Sequence, residues 1–176
     1  MPSRILYSLV VLIWGTTWYA IKFQLGVVAP EISLVYRFSI AAICLFVYAR
    51  VVGSPMRLSW REHRFIALQG ATLFGLNYWL TYRSTEYLTS GLVAVMFTSI
   101  IFFNLVNSRL IFGTLVDRRV LIAAAAGMLG VALLFLPELR AAAGDRAVIK
   151  GCLLALSATY IASLGNMAAM RNTGSG

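Results

Sequence analysis

Few residues in this chain could do chemistry, and those that could are suited to binding rather than catalysis. The stretch Trp14-Gly15-Thr16-Thr17-Trp18-Tyr19-Ala20-Ile21-Lys22 closes an apolar run that begins at Ile5. At 3.6 residues per turn, Trp14, Thr17, Trp18 and Ile21 share one helix face. An unpaired polar group at membrane depth costs several kcal/mol, so this face is expected to look at other helices or a polar cavity. Asn77, Tyr78 and Tyr82 form a second polar group, with the tyrosines spaced i, i+4. Asn104 and Asn107 form a third at i, i+3. Amides within lipid need hydrogen-bond partners, which are either neighbouring helices or water and substrate. Trp14, Thr17, Trp18, Asn77, Tyr78, Tyr82 and Asn104 are the candidate cavity residues. Asn107 is a weaker one, and Tyr160 and Asn166 are candidates for the same space.

Two charged residues stand out as gate or coupling candidates, Arg37 and Glu86. An arginine at mid-span costs roughly 2.5–3.5 kcal/mol, less where it can snorkel to an interface. Arg37 is expected either to snorkel or to pair with Glu86. Glu86 is either a solvated acid beside Arg83 or a buried, protonatable group whose pKa burial would raise. No acidic pair, His cluster, Ser–His arrangement or cofactor loop lies within the apolar segments, so neither a catalytic site nor a cofactor is expected. Cys44 and Cys152 lack metal-ligand spacing and His63 stands alone, so no metal site is expected.

The elements that must position these residues follow from composition. The 176 residues are 60% hydrophobic and only 12% charged, against about 25% charged in soluble domains. Mean hydropathy is +0.83. The apolar residues fall in long blocks that read as six membrane spans, about 5–21, 32–48, 65–82, 91–112, 120–136 and 151–170. Pro30 suits a helix start, Gly53-Ser54-Pro55 a turn, and Pro137 a stop to the fifth span. The net charge of +9 does not indicate nucleic acid, because the basic residues sit mainly in short loops between spans. With the N-terminus inside, nine arginines fall on the inner side against five basic residues outside, as the positive-inside rule requires. The fold expected is an all-α integral membrane bundle of about six transmembrane helices. Ala123/Gly127 and Ala126/Gly130 in the fifth span, with Ala158/Ala162 and Gly165/Ala169 in the sixth, predict close helix packing, within the subunit or between two copies.

Several of these stretches together resemble a known group. Trp14-Gly15-Thr16-Thr17 with Lys22, Pro30 and Arg37 in the second span, Tyr87-Leu88-Thr89-Ser90-Gly91-Leu92-Val93-Ala94 opening the fourth, and Gly127 with Gly130 in the fifth are similar to the drug/metabolite transporter superfamily, in particular its EamA-like exporters. Two features depart from that pattern. Thr98-Ser99-Ile100-Ile101 stands where a proline is common, and Phe112-Gly113-Thr114 where an acidic residue is.

The resemblance implies ten spans in two inverted five-span repeats, and a secondary transporter exporting small organic metabolites or drugs by alternating access. It divides the chain into a five-helix repeat (1–137), an outer linker (138–150) and the first helix of an incomplete second repeat (151–176). The chain is therefore expected to be truncated, or to be a half that pairs with a second copy or a missing C-terminal half. The remaining expected partners are the lipid bilayer and a small-molecule substrate. The expected location is a bacterial cytoplasmic (inner) membrane. The alternative reading is a half-transporter acting only as a structural or assembly partner.

Overall fold

The computed structural model describes residues 3–24, 28–54, 58–141 and 144–174, with the side chains of residues 3, 18, 20–24, 30, 138, 139 and 141 outside the description. The described residues form helices and turns, and no strand. The elements are α1 (Ser3–Gln24), α2 (Pro30–Val51), α3 (Trp60–Gln69), a π-helical segment (Gly70–Leu76), α4 (Asn77–Ser84), α5 (Ser90–Phe97), α6 (Ile100–Phe112), α7 (Arg118–Ala141) and α8 (Arg146–Gly174). Together α3, the π segment and α4 make the third span, and α5 with α6 make the fourth. Among the described residues, four segments are long and apolar enough to cross a membrane, Glu31–Val51, Ser90–Phe112, Arg118–Pro137 and Arg146–Gly174. Arg4–Thr17 is a shorter apolar helix.

Local signals fix most helix ends. Pro30 opens α2 within its first turn, where its missing N–H goes unmissed. Gly53 takes φ +73° in the turn after α2, and Gly113 takes φ +67° to cap α6, a conformation in which a Cβ is penalised. The third span starts earlier than its apolar run. Ser59 and Glu62 form a capping box, with the Ser59 amide donating to Glu62 Oε2 at 2.6 Å, which carries the helix through His63.

Pro137 does not stop the fifth span. It lies inside α7, which runs on to Ala141; one missing hydrogen bond near a helix end is tolerated. Much of the polar stretch expected as a linker is thus helical, belonging to the end of α7 and the start of α8.

α8 is the central element. Its N-terminal end meets the start of α5, where Lys150 Nζ donates to Tyr87 Oη at 2.7 Å. At its other end the Arg171 guanidinium stacks over Phe65 and Asn172 donates to Gln69 at 2.8 Å. It therefore runs antiparallel to the third span and parallel to the fourth. Ala155, Ala158, Thr159, Ala162, Ser163 and Gly165 are all buried along it, as its small-residue spacing predicts. Without a hydrophobic driving force between helices in lipid, such close van der Waals contact holds the bundle together.

Gly165 marks a close approach to backbone. A Cβ there would lie 2.8 Å from Leu73 Cβ and 2.9 Å from the Leu73 amide nitrogen. Leu88, Leu92, Val93 and Ala155 form the apolar cluster at the N-terminal end of α8, and Phe135 of α7 packs on it.

The fifth span does not use its small residues for packing among the described residues of this chain. None of its membrane window is buried, and nothing comes within 4 Å of a Cβ placed at Gly127 or Gly130. Its small-residue face is open.

Candidate functional site

The third and fourth spans are both irregular at mid-length, and the irregularities border one cavity. In the π segment the Asn77 amide donates to the Thr72 carbonyl, five residues back. The Leu73 carbonyl, which an α-helix would pair with that amide, instead accepts Asn77 Nδ2 at 3.1 Å. Thr72 Oγ1 donates to the Leu68 carbonyl at 2.7 Å. Such π insertions are found often at functional sites.

The fourth span breaks between α5 and α6. Thr98 and Ser99 close short turns onto Val95 and Met96, and their hydroxyls donate to the same two carbonyls at 2.7 Å each. No proline is needed, because each side chain ties its own local turn. Irregular backbone within a membrane protein persists only where protein or a wet cavity satisfies it.

The cavity measures about 310 Å³ and is lined by residues of α1, α2, the third span, α5, α6 and α8. That is the lower end of the range for ligand pockets. Trp14 and Thr17 come from α1 and Arg37 from α2. Leu73, Phe74, Asn77, Tyr78 and Thr81 come from the third span, Phe97 and Ile100 from either side of the break, and Asn166 from α8. Five sequence candidates, Trp14, Thr17, Asn77, Tyr78 and Arg37, are therefore brought to one space, as is Asn166.

Their polar groups are not equally available. Thr17 Oγ1 donates to the Ile13 carbonyl at 2.7 Å, so its hydroxyl is satisfied within its own helix. A threonine at membrane depth thus does not by itself require a wet neighbour. Asn77 is 4% exposed; besides its bond to Leu73, its Oδ1 accepts Thr81 Oγ1 at 3.5 Å. It holds the π segment and borders the cavity at once. Trp14 is 66% exposed and forms an outer wall. Trp18 lies on α1, but its side chain falls outside the described residues.

Other candidates sit elsewhere. Tyr82 is 1% exposed and packs on Leu34, with Phe38 and Tyr78 beside it; it belongs to the contact between α2 and α4 and not to the cavity wall. Asn104 is one step removed, accepting Asn166 Nδ2 at 3.3 Å. Asn107 donates to Ser163 Oγ at 2.9 Å and is buried. Both asparagines of the fourth span are thus partnered by α8, the packing alternative for amides in lipid. Tyr160 faces away and packs edge-on against Phe103.

The Arg37–Glu86 pair does not form. Glu86 Oε1 accepts from Arg83 at 2.9 Å, and Arg83 also reaches Glu31 at 2.8 Å. Trp79 Nε1 completes this cluster by donating to Glu31 at 2.9 Å. The pairing went to Arg83 because it follows Trp79 by one turn and faces the start of α2, whereas Arg37 lies seven residues inside that helix. Arg37 does not snorkel to an end. Its guanidinium sits 5.2 Å from the Tyr78 ring centre and 5.7 Å from that of Phe38, and it reaches the Tyr82 side chain as a hydrogen-bond partner.

The signature of the EamA-like transporter family matches residues 2–136. The chain belongs to that family. It is an integral membrane protein, since the family match coincides with long apolar helices. The EamA-like chain is also 24% identical over 94 residues to an "Uncharacterized transporter" of Buchnera aphidicola subsp. Schizaphis graminum (strain Sg), covering 53% of this chain and 31% of that protein. It thus spans about a third of the curated relative it matches. No solved structure matches it significantly.

Sequence reasoning did not find the π segment, Thr81 or Phe97. Gly70 and Gly75 bracketing Thr72 were the available signal for the first, since a glycine pair weakens an α-helical register.

Proposed function

We propose that this EamA-like chain contributes the substrate chamber of a secondary transporter. It exports small organic molecules, metabolites or drugs, by alternating access in a bacterial cytoplasmic membrane, and it is not an enzyme. One observation carries the reading: a cavity of about 310 Å³ lies where the third and fourth spans both lose α-helical regularity, with Trp14, Thr17, Arg37 and Tyr78 around it. Discontinuous helices at mid-bundle are where secondary carriers bind cargo and pivot.

Thiol labelling tests it. With Cys44 and Cys152 replaced by alanine, Thr17→Cys should react with a membrane-impermeant maleimide. Ile40→Cys, on an exposed face of α2, should react only with a lipid-soluble probe. If Thr17→Cys also reacted only from the lipid, there would be no chamber.

A second reading, a half-transporter that works only as an assembly partner, draws on the open small-residue face of α7. Solute flux into liposomes carrying this chain, compared with the chain extended by a second five-helix repeat, separates the two. Flux by the shorter chain alone would remove the assembly-only reading.

A further inference from the structure

Among the described residues, Arg37 is the only charged side chain lining the cavity. It lies roughly 10 Å along α2 from Pro30, at a rise of 1.5 Å per residue, and so well inside the span. No described carboxylate neutralises it. Glu31 and Glu86 are engaged by Arg83, Glu62 caps α3, and Asp117 and Asp145 accept backbone amides at 2.8 Å near the starts of α7 and α8. The Glu138 side chain lies outside the described residues. The aromatic faces of Tyr78 and Phe38 attract the guanidinium but carry no net charge to cancel it. A cation held this deep is costly without an anion, and guanidinium geometry suits a two-oxygen acceptor.

The rest of the wall narrows the class further. Trp14, Phe74 and Phe97 offer apolar and aromatic surface, while Thr17, Asn77 and Thr81 have hydrogen bonds within their own helices or with each other. No described acidic residue lines the space to receive an ammonium group. Resting on the reading of this cavity as a substrate chamber, we infer that its substrate is a small organic anion. A carboxylate-like head seats on Arg37, and an apolar or aromatic body lies against Trp14, Phe74 and Phe97. Zwitterions and cations of the same size are selected against, because their ammonium would be buried unpaired.

Equilibrium binding of three probes to the full chain in phosphatidylcholine nanodiscs tests this. The probes, 3-phenylpropanoate, 3-phenylpropanamide and 3-phenylpropylamine, share one body and differ in the head. The acid should bind about 10- to 100-fold more tightly than the amide, the range for a charge-assisted hydrogen bond, and the amine should not bind. Arg37→Gln should erase the preference for the acid, and Arg37→Lys should keep part of it. Equal binding of acid and amide, no binding of the acid, or a preference surviving Arg37→Gln would each overturn the inference. Equal binding while Thr17→Cys still labels from water would leave the chamber standing and remove only the anion. A lipid headgroup offers the same chemistry, so the measurement is repeated with phosphatidylglycerol added. Loss of acid binding there would assign Arg37 to lipid and overturn the small-molecule assignment.

Discussion

Gly165→Ala should destabilise the bundle by an amount that a second glycine makes measurable. The added Cβ would fall 2.8 Å from Leu73 Cβ and 2.9 Å from both the Leu73 amide nitrogen and Thr72 Oγ1. One of these is backbone, and Thr72 is tied to the Leu68 carbonyl, so neither can swing away cheaply. α8 and the π segment must separate instead. Overpacking of this kind costs about 1–3 kcal/mol. Replacing any helical glycine with alanine also gains about 1 kcal/mol of intrinsic helix propensity, which would mask part of the loss. Gly130→Ala in α7 supplies the correction, because nothing lies within 4 Å of its Cβ position and only the propensity gain remains. The difference between the two variants isolates the packing term, so Gly165→Ala should lie about 1–3 kcal/mol below Gly130→Ala in stability. Reversible unfolding in mixed micelles with increasing dodecyl sulfate reads both. If the two variants unfold at the same detergent fraction, the close approach of α8 to the π segment is not what holds the third span in place.

Two further outcomes follow from the polar contacts. A double-mutant cycle on Asn107→Ala and Ser163→Ala should give a coupling of about 0.6–1.7 kcal/mol, the range for interhelical hydrogen bonds in membranes; additive losses in the same unfolding assay would show that the 2.9 Å contact is not an energetic link between α6 and α8. Glu31→Gln should lower the unfolding midpoint more than Glu86→Gln, because Glu31 joins α2 to Arg83 and Trp79 on α4 while Glu86 pairs only with Arg83 three residues away. Both losses should shrink in high salt, since the groups are partly exposed, and an equal effect of the two substitutions would refute the difference.

The family resemblance was readable because its motifs lie on single helices and need no knowledge of contacts. The family match spans residues 2–136, a range that includes Trp14 through Thr17, Pro30 and Arg37. The capping box at Ser59 was equally readable, since its two partners are three residues apart, but the basic stretch around it resembled a loop. Tyr82 shows the limit of helix-face reasoning. Sharing a face with Tyr78 at i, i+4 placed it near the cavity, yet one turn along the helix the neighbour is Leu34 of α2 and not open space. Arg37 shows the same limit for charge. The expected topology put Glu86 on the same outer side and left it as the plausible partner, while Arg83 sits where both Glu31 and Glu86 can reach it.

By itself the sequence determined that this chain is a membrane-embedded helical bundle and that its last two spans are rich in small residues. Those properties follow from hydrophobic length and local backbone preference, both written in consecutive residues. Only the tertiary structure decided that α8 and not α7 is the packed helix, that two spans lose their regularity beside a shared cavity, and that Arg37 faces this cavity with no described carboxylate beside it. Those are questions of which side chain meets which across 30 to 100 residues, and partners at that separation are chosen by the packing of the whole bundle.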